Sequence, residues 1–116
     1  MPVLQPAMIT VDTTDALPLA RWWATQTGGE ILEENDGWFV VVALPAGPRL
    51  GFQKVADPTP GKNRLHVDFV ADDLDGAVAL LREAGAGHVG DREMPGFRWV
   101  TLSDPDGNEF CVAGKE

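Results

Sequence analysis

Two histidines, one cysteine and a surplus of carboxylates are the groups in this chain that could do chemistry. His66 precedes Asp68 in His66-Val-Asp68, and Glu109 precedes Cys111 in Glu109-Phe-Cys111. Residues two apart on an extended strand share a face, so the members of each pair point the same way. An imidazole beside a carboxylate is equipped for general acid–base work, and a hydrogen bond between His66 and Glu109 is the expected resting arrangement. His88 falls in a short run after a helix and reads as a surface histidine. Cys111 is a poor nucleophile, because its acidic neighbour disfavours the thiolate. The sequence holds no Gly-x-Ser-x-Gly, P-loop, dinucleotide fingerprint or Cys-x-x-Cys pair.

The elements that must position these groups are written twice. Ile9-Thr-Val-Asp-Thr-Thr-Asp15 is a β-branched run followed by a helical stretch from Ala16 and a Gly28-Gly29 stop. His66-Val-Asp-Phe-Val-Ala-Asp72 is followed by Asp73-Leu74 and a second helical stretch that stops at Gly85. Asp15 pairs with Asp72, Leu17 with Leu74, Ala20 with Ala77 and Gly28 with Gly85, all at an offset of 57 residues. Asp15 and Asp72 or Asp73 are placed to cap helix N–H groups, and Gly28 and Gly85 to end the helices in the left-handed region. Leu74, Ala77, Val78 and Leu81 recur at the helical period.

Three strand candidates follow each helix: Glu30–Glu34, Trp38–Leu44 and Leu50–Val55, then His88–Asp91, Phe97–Leu102 and Glu109–Ala113. Asp/Asn-Gly and Pro-Gly pairs punctuate them, and Asp57-Pro-Thr-Pro-Gly61 links the halves. The predicted class is α+β: two βαβββ modules, about 7–56 and 64–113, in one domain spanning 1–116. Their curved mixed sheets enclose a cleft and carry the helices on the outer face.

Strand alternation assigns the faces. Leu65, Val67, Phe69, Val100, Leu102, Phe110 and Val112 should turn toward a helix. His66, Asp68, Trp99, Thr101, Glu109 and Cys111 should turn toward the cleft, and Phe97 shares the strand face of Trp99 and Thr101. Trp22 and Trp23 are expected to pack in the first helix. Trp38 and Trp99 belong to middle strands, and Trp99 reads equally as a stacking floor for a planar ligand or as a dimer-interface aromatic.

Bulk properties narrow the partners. The 116 residues are 44% hydrophobic and 23% charged, a globular balance, and the formal charge is −9. Such a charge disfavours nucleic-acid and membrane-surface partners and favours cationic ligands. One cysteine allows no internal disulfide, which fits a reducing cytoplasm. The opening Met1-Pro-Val-Leu-Gln-Pro6 has no basic and apolar signal-peptide pattern, and no apolar run reaches membrane-spanning length.

Leu65-His66-Val-Asp68 ahead of an aspartate-capped helix, and the turn Asp104-Pro-Asp-Gly-Asn-Glu109-Phe, resemble the vicinal-oxygen-chelate (glyoxalase/bleomycin-resistance/dioxygenase) superfamily. Lys62-Asn-Arg-Leu-His66 is further similar to glyoxalase-like proteins abundant in actinobacteria. The resemblance implies ligands on the first and last strands of each half, with a divalent metal (Ni, Zn, Mn or Fe) acting as Lewis acid on vicinal substrate oxygens. His66 and Glu109 match two such positions. At the 57-residue offset the first-strand counterpart of His66 is Ile9, which cannot ligate, and a slip of one residue puts Gln53 opposite Glu109. His66, Glu109 and Gln53 are therefore an incomplete set, and no tightly held cofactor is expected.

Three functions follow from these readings. The first is a metal-independent protein binding a small cationic or aromatic molecule in the cleft of a homodimer, with Gln53, Asp68, Trp38, Trp99 and Thr101 as ligand contacts. The second is a lyase, isomerase or dioxygenase-like enzyme in which His66 and Glu109 are catalytic, with a divalent metal. The third is an assembly module without ligand chemistry.

Overall fold

The computed structural model describes residues 6–63 and 65–114. The chain divides into two compact units between Thr59 and Pro60. In the first, β1 (Met8–Thr13), α1 (Ala16–Thr27), β2 (Glu30–Glu33), β3 (Phe39–Ala43) and β4 (Arg49–Lys54) follow in order. The strands form one mixed sheet in the order β1-β4-β3-β2, with β1 parallel to β4 and the other pairings antiparallel. A parallel pair needs a crossover, and α1 with the β2–β3 hairpin supplies it.

Local residue choices explain the ends of these elements. Asp15 occupies the N-cap of α1 in an extended conformation, but its side chain makes no capping hydrogen bond. Its own N–H instead donates to Oγ1 of Thr13 at 3.2 Å. The expected carboxylate cap is therefore absent here, and an Asp at this position contributes only its charge near the helix dipole. Gly28 ends α1 at φ 70. Asn35-Asp36-Gly37 forms a short 3-10 turn with Asn35 and Asp36 at φ 45 and 53, which these residue types tolerate. Asn35 Nδ2 donates to the Phe39 carbonyl at 2.7 Å, and β3 starts at Phe39 rather than Trp38. Trp38 is left 63% exposed, with the Lys54 ammonium 5.0 Å from its ring centre.

Alternation fixes the core of this unit. Val40 and Val42 of β3 and Leu50 and Phe52 of β4 are buried, as are Leu19, Ala20 and Trp23 of α1. Trp22 meets Trp23 edge-on at 4.9 Å.

The second unit repeats the plan with β5 (Val67–Ala71), α2 (Leu74–Glu83), β6 (Gly87–Met94), β7 (Phe97–Ser103) and β8 (Glu109–Gly114). Its sheet order is β5-β8-β7-β6, again with one parallel pair, β5 with β8. Asp73 caps α2, its Oδ1 accepting from the Gly76 N–H at 3.1 Å. Gly85 follows the helix at φ 113. β6 is longer than the expected His88–Asp91. Pro95-Gly96, with Gly96 at φ 77, turns so tightly that pairing continues to Met94 opposite Phe97, and a bulge between His88 and Gly90 absorbs one residue. Leu74, Val100, Leu102, Phe110 and Val112 are buried, and Phe69 meets Phe110 edge-on at 5.9 Å. Leu65 is 81% exposed and lies outside the strand, contrary to its expected packing against the helix.

Register corrects the alignment of the halves. The N-caps Asp15 and Asp73 are equivalent, an offset of 58 rather than 57. The ladder row Ile9–Leu50–Val42 then corresponds to Val67–Phe110–Leu102, and Val11–Phe52–Val40 to Phe69–Val112–Val100. The single-residue error arose because Gly28 lies 13 positions after the N-cap Asp15 while Gly85 lies 12 after the N-cap Asp73, so matching the glycine stops slid the whole alignment.

Candidate functional site

The turn before β8 sets the end of that strand. Asp104 is 3% exposed, and its Oδ1 accepts from the N–H groups of Asp106 at 3.0 Å and Asn108 at 2.9 Å. The Asn108 amide donates to both carboxylate oxygens, at 3.2 and 3.0 Å. A carboxylate suits this turn because it accepts several donors at once. Glu109 follows immediately and is held from the other side. Its N–H donates to Asn63 Oδ1 at 2.8 Å, and its carbonyl accepts from Asn63 Nδ2 at 3.1 Å. Asn63 also donates to the Leu65 carbonyl. The Asn63 amide thus pairs with the Glu109 peptide as a neighbouring strand would, fixing the segment that leads to His66.

On the face of this sheet away from the buried row lies a pocket of about 590 Å³. That size falls within the range of about 300–1,000 Å³ used for small ligands. Among its lining residues are His66, Asp68, Trp99, Thr101, Glu109 and Cys111, so strand alternation selected one face correctly. Lys62, Phe97 and Arg92 join them. Cross-strand pairing builds the floor: Asp68 lies opposite Cys111, and Cys111 opposite Thr101. Trp99 lies opposite Ala113 on β8 and Arg92 on β6, and the Phe97 and Trp99 rings are 5.4 Å apart at 32°.

Arg92 packs over a glycine. A Cβ at Gly90 would come within 2.6 Å of Nη1 of Arg92, so the guanidinium lies over the space that Gly90 leaves open. The lining carries formal charges of both signs, Lys62 and Arg92 against Asp68 and Glu109.

His66 and Glu109 line the same pocket but are partnered differently from expectation. Nδ1 of His66 lies 3.0 Å from Oδ1 of Asp68, and the Glu109 carboxylate lies 3.9 Å from the Lys62 ammonium. Asp68 wins His66 because it is two positions away on the same face of the same segment. His88 is paired at the surface with Asp91, 3.2 Å away. Gln53 and Trp38 belong to the first unit. Gln53 is an exposed residue of β4 opposite Asp12 and Phe39.

The corrected register also reassigns the ligand positions implied by the duplicated fold. The counterpart of His66 is Met8, and the counterpart of Glu109 is Arg49, since Leu50 matches Phe110. Gln53 corresponds to Ala113 instead. Methionine offers a weak thioether and arginine offers no lone pair, so the residues at the four repeat-equivalent positions do not fit a divalent-metal site of that kind.

Lys62, Asn63, Arg92 and Phe97 were missed as site residues. Only the Phe97–Trp99 spacing carried a signal, through alternation; Asn63 acts across 46 positions of chain to Glu109.

Two βαβββ units with this strand order define the architecture of the glyoxalase/bleomycin resistance protein/dioxygenase proteins. A model of the glyoxalase-like domain matches residues 8–113, and the chain belongs to that family. A search of curated proteins finds no match. Among solved structures, a glyoxalase/bleomycin resistance protein/dioxygenase family enzyme from Burkholderia phytofirmans PsJN is 18% identical with a TM-score of 0.77, covering 93% of this chain and 96% of that one. TnmS3, an antibiotic binding protein from Streptomyces sp. CB03234, is 23% identical with a TM-score of 0.72, covering 100% and 99%. A lactoylglutathione lyase from Agrobacterium tumefaciens is 19% identical with a TM-score of 0.73, covering 98% and 96%. At these identities the likeness is one of fold, and fold does not choose between binding and catalysis.

Proposed function

We propose that this protein binds a planar, aromatic small molecule in the pocket of its second unit, without a catalytic metal of the family type. The observation that carries this reading is the Phe97–Trp99 pair, which places two aromatic rings 5.4 Å apart in the lining beside Arg92. Aromatic walls supply most of the contact area in small-ligand sites, and a few polar groups fix orientation. The mixed charges of the lining suit a ligand that carries polar substituents. A preference for cations draws support only from the net charge of −9. The likeness in fold to an antibiotic-binding protein is consistent with this reading.

We further infer that the protein acts as a cytoplasmic homodimer, within which the two units form one domain. Val70, Met94 and Phe97 present apolar side chains at the surface of the second unit, as a dimer would require.

Titration of the purified protein with a panel of planar aromatic antibiotics, followed by calorimetry, tests the binding reading. Saturable binding that weakens at least about tenfold in Trp99→Ala is expected, equivalent to about 1.4 kcal/mol. Binding unchanged in that variant, or no binding across the panel, would refute it.

A catalytic reading rests on a different observation. Asp68 holds one ring nitrogen of His66 at 3.0 Å, the arrangement that orients a general base. Turnover of an α-hydroxy or α-keto thioester abolished by His66→Gln would favour it over simple binding.

A further inference from the structure

Within the pocket, three side chains of different donor type converge. An imidazole nitrogen of His66, a carboxylate oxygen of Asp68 and the Cys111 sulfur all lie within 4.8 Å of one another. We propose that these three residues form a zinc-type divalent-metal site contained in the second unit, with a ligand set different from the His–Glu pattern of the fold.

The donor chemistry supports this assignment. Nitrogen, oxygen and thiolate sulfur are the zinc ligands, and three protein donors leave a fourth tetrahedral position for water or a ligand in the pocket. Bond lengths of about 2.0–2.3 Å put tetrahedral donor atoms about 3.5 Å apart. The three donor atoms, all within 4.8 Å of one another, would close on an ion by roughly 1 Å at the widest pair. Asp68 and Cys111 are already direct cross-strand partners. A Cys111 thiolate and an Asp68 carboxylate together neutralise a divalent ion, while His66 binds it as the neutral ring.

A supporting partner for the sulfur is in place. Thr101, 6% exposed, holds its hydroxyl 3.5 Å from the Cys111 sulfur. That hydroxyl donates to the thiolate once the ion displaces the thiol proton, the role outer partners play in metal sites. The hydrogen bond between His66 and Asp68 is what the ion replaces. Glu109 is not a member of this group, and its carboxylate faces Lys62.

The test is a Co²⁺ titration of the full chain after chelator treatment, read by thiolate-to-cobalt charge-transfer absorption and followed by Zn²⁺ competition. One Co²⁺ per chain with a charge-transfer band is expected. Cys111→Ser should abolish the band, Asp68→Asn and His66→Ala should abolish stoichiometric binding, and Thr101→Val should weaken binding about 10-fold or more. Glu109→Gln should leave the titration unchanged, and circular dichroism of each variant separates lost ligation from lost folding. Absence of binding by the folded wild-type chain would overturn the proposal. So would binding that survives Cys111→Ser but disappears in Glu109→Gln. The titration uses the metal alone, so its outcome is independent of whether the aromatic pocket binds a drug.

Discussion

The two units share strand order, parallel edge pair and buried ladder rows, yet they treat the opposite face of the sheet differently. In the first unit, Gly51 lies where the second has Cys111. A Cβ there would come within 2.6 Å of the Met8 sulfur and 3.0 Å of the Phe39 ring. Met8 and Phe39 thus close over bare backbone with apolar atoms. In the second unit the equivalent positions are His66, Cys111 and Trp99, and the same ground is a polar-floored pocket. A duplicated fold keeps its helix-facing rows because they hold each sheet to its helix. The other face is free to specialise, and here one copy keeps a pocket lined by titratable groups.

The comparison can be broken most forcefully at the cores. Phe52 is fully buried and occupies the ladder row equivalent to Val112. Phe52→Ala should cost about 3–5 kcal/mol in urea unfolding. Val112→Ala, which removes far less volume, should cost clearly less; equal losses would show that the two rows are not energetically comparable.

Next comes the aspartate-held turn before β8. Asp104→Ala strips three backbone and amide donors of their acceptor and should destabilise by about 1–3 kcal/mol. Amide exchange at Asn108 and Glu109 should rise with it. Protection that stays at the wild-type level would mean the turn holds without its carboxylate.

The helix caps give a smaller and sharper contrast. Asp73→Ala removes a hydrogen bond to the Gly76 N–H and should cost about 1 kcal/mol. Asp15→Ala, whose carboxylate makes no capping bond, should cost a few tenths at most, at about 0.3 kcal/mol. A reversed order in matched denaturation curves would contradict the capping geometry. Asn63→Ala should cost about 1 kcal/mol, comparable to Asp73→Ala, while raising amide exchange at Glu109.

Much of this architecture was legible in the residues. Turn pairs, glycine stops and the recurrence of aspartate before each helix located the eight strands and two α-helices of the described residues. Alternation named the pocket face of β7 and β8 because period-two patterns are rigid consequences of the pleat. The copy-to-copy register was not legible, because unequal spacings from N-cap to glycine stop moved the apparent offset by one and exchanged Met8 for Ile9. Nor was the pairing of His66 with Asp68, since nearby partners compete through geometry that sequence spacing leaves open. Leu65 misled for a related reason: alternation extends only as far as the strand, and β5 begins at Val67.

Asn63 has a consequence that reaches past the site it supports. Its amide imitates a length of main chain, so one side chain splices the incoming loop onto β8 where ladder pairing has stopped. A seam made by a side chain is encoded by one codon, whereas a backbone ladder is shared among many. The mouth of the pocket can therefore be retuned by a single substitution while the sheet beneath is inherited unchanged.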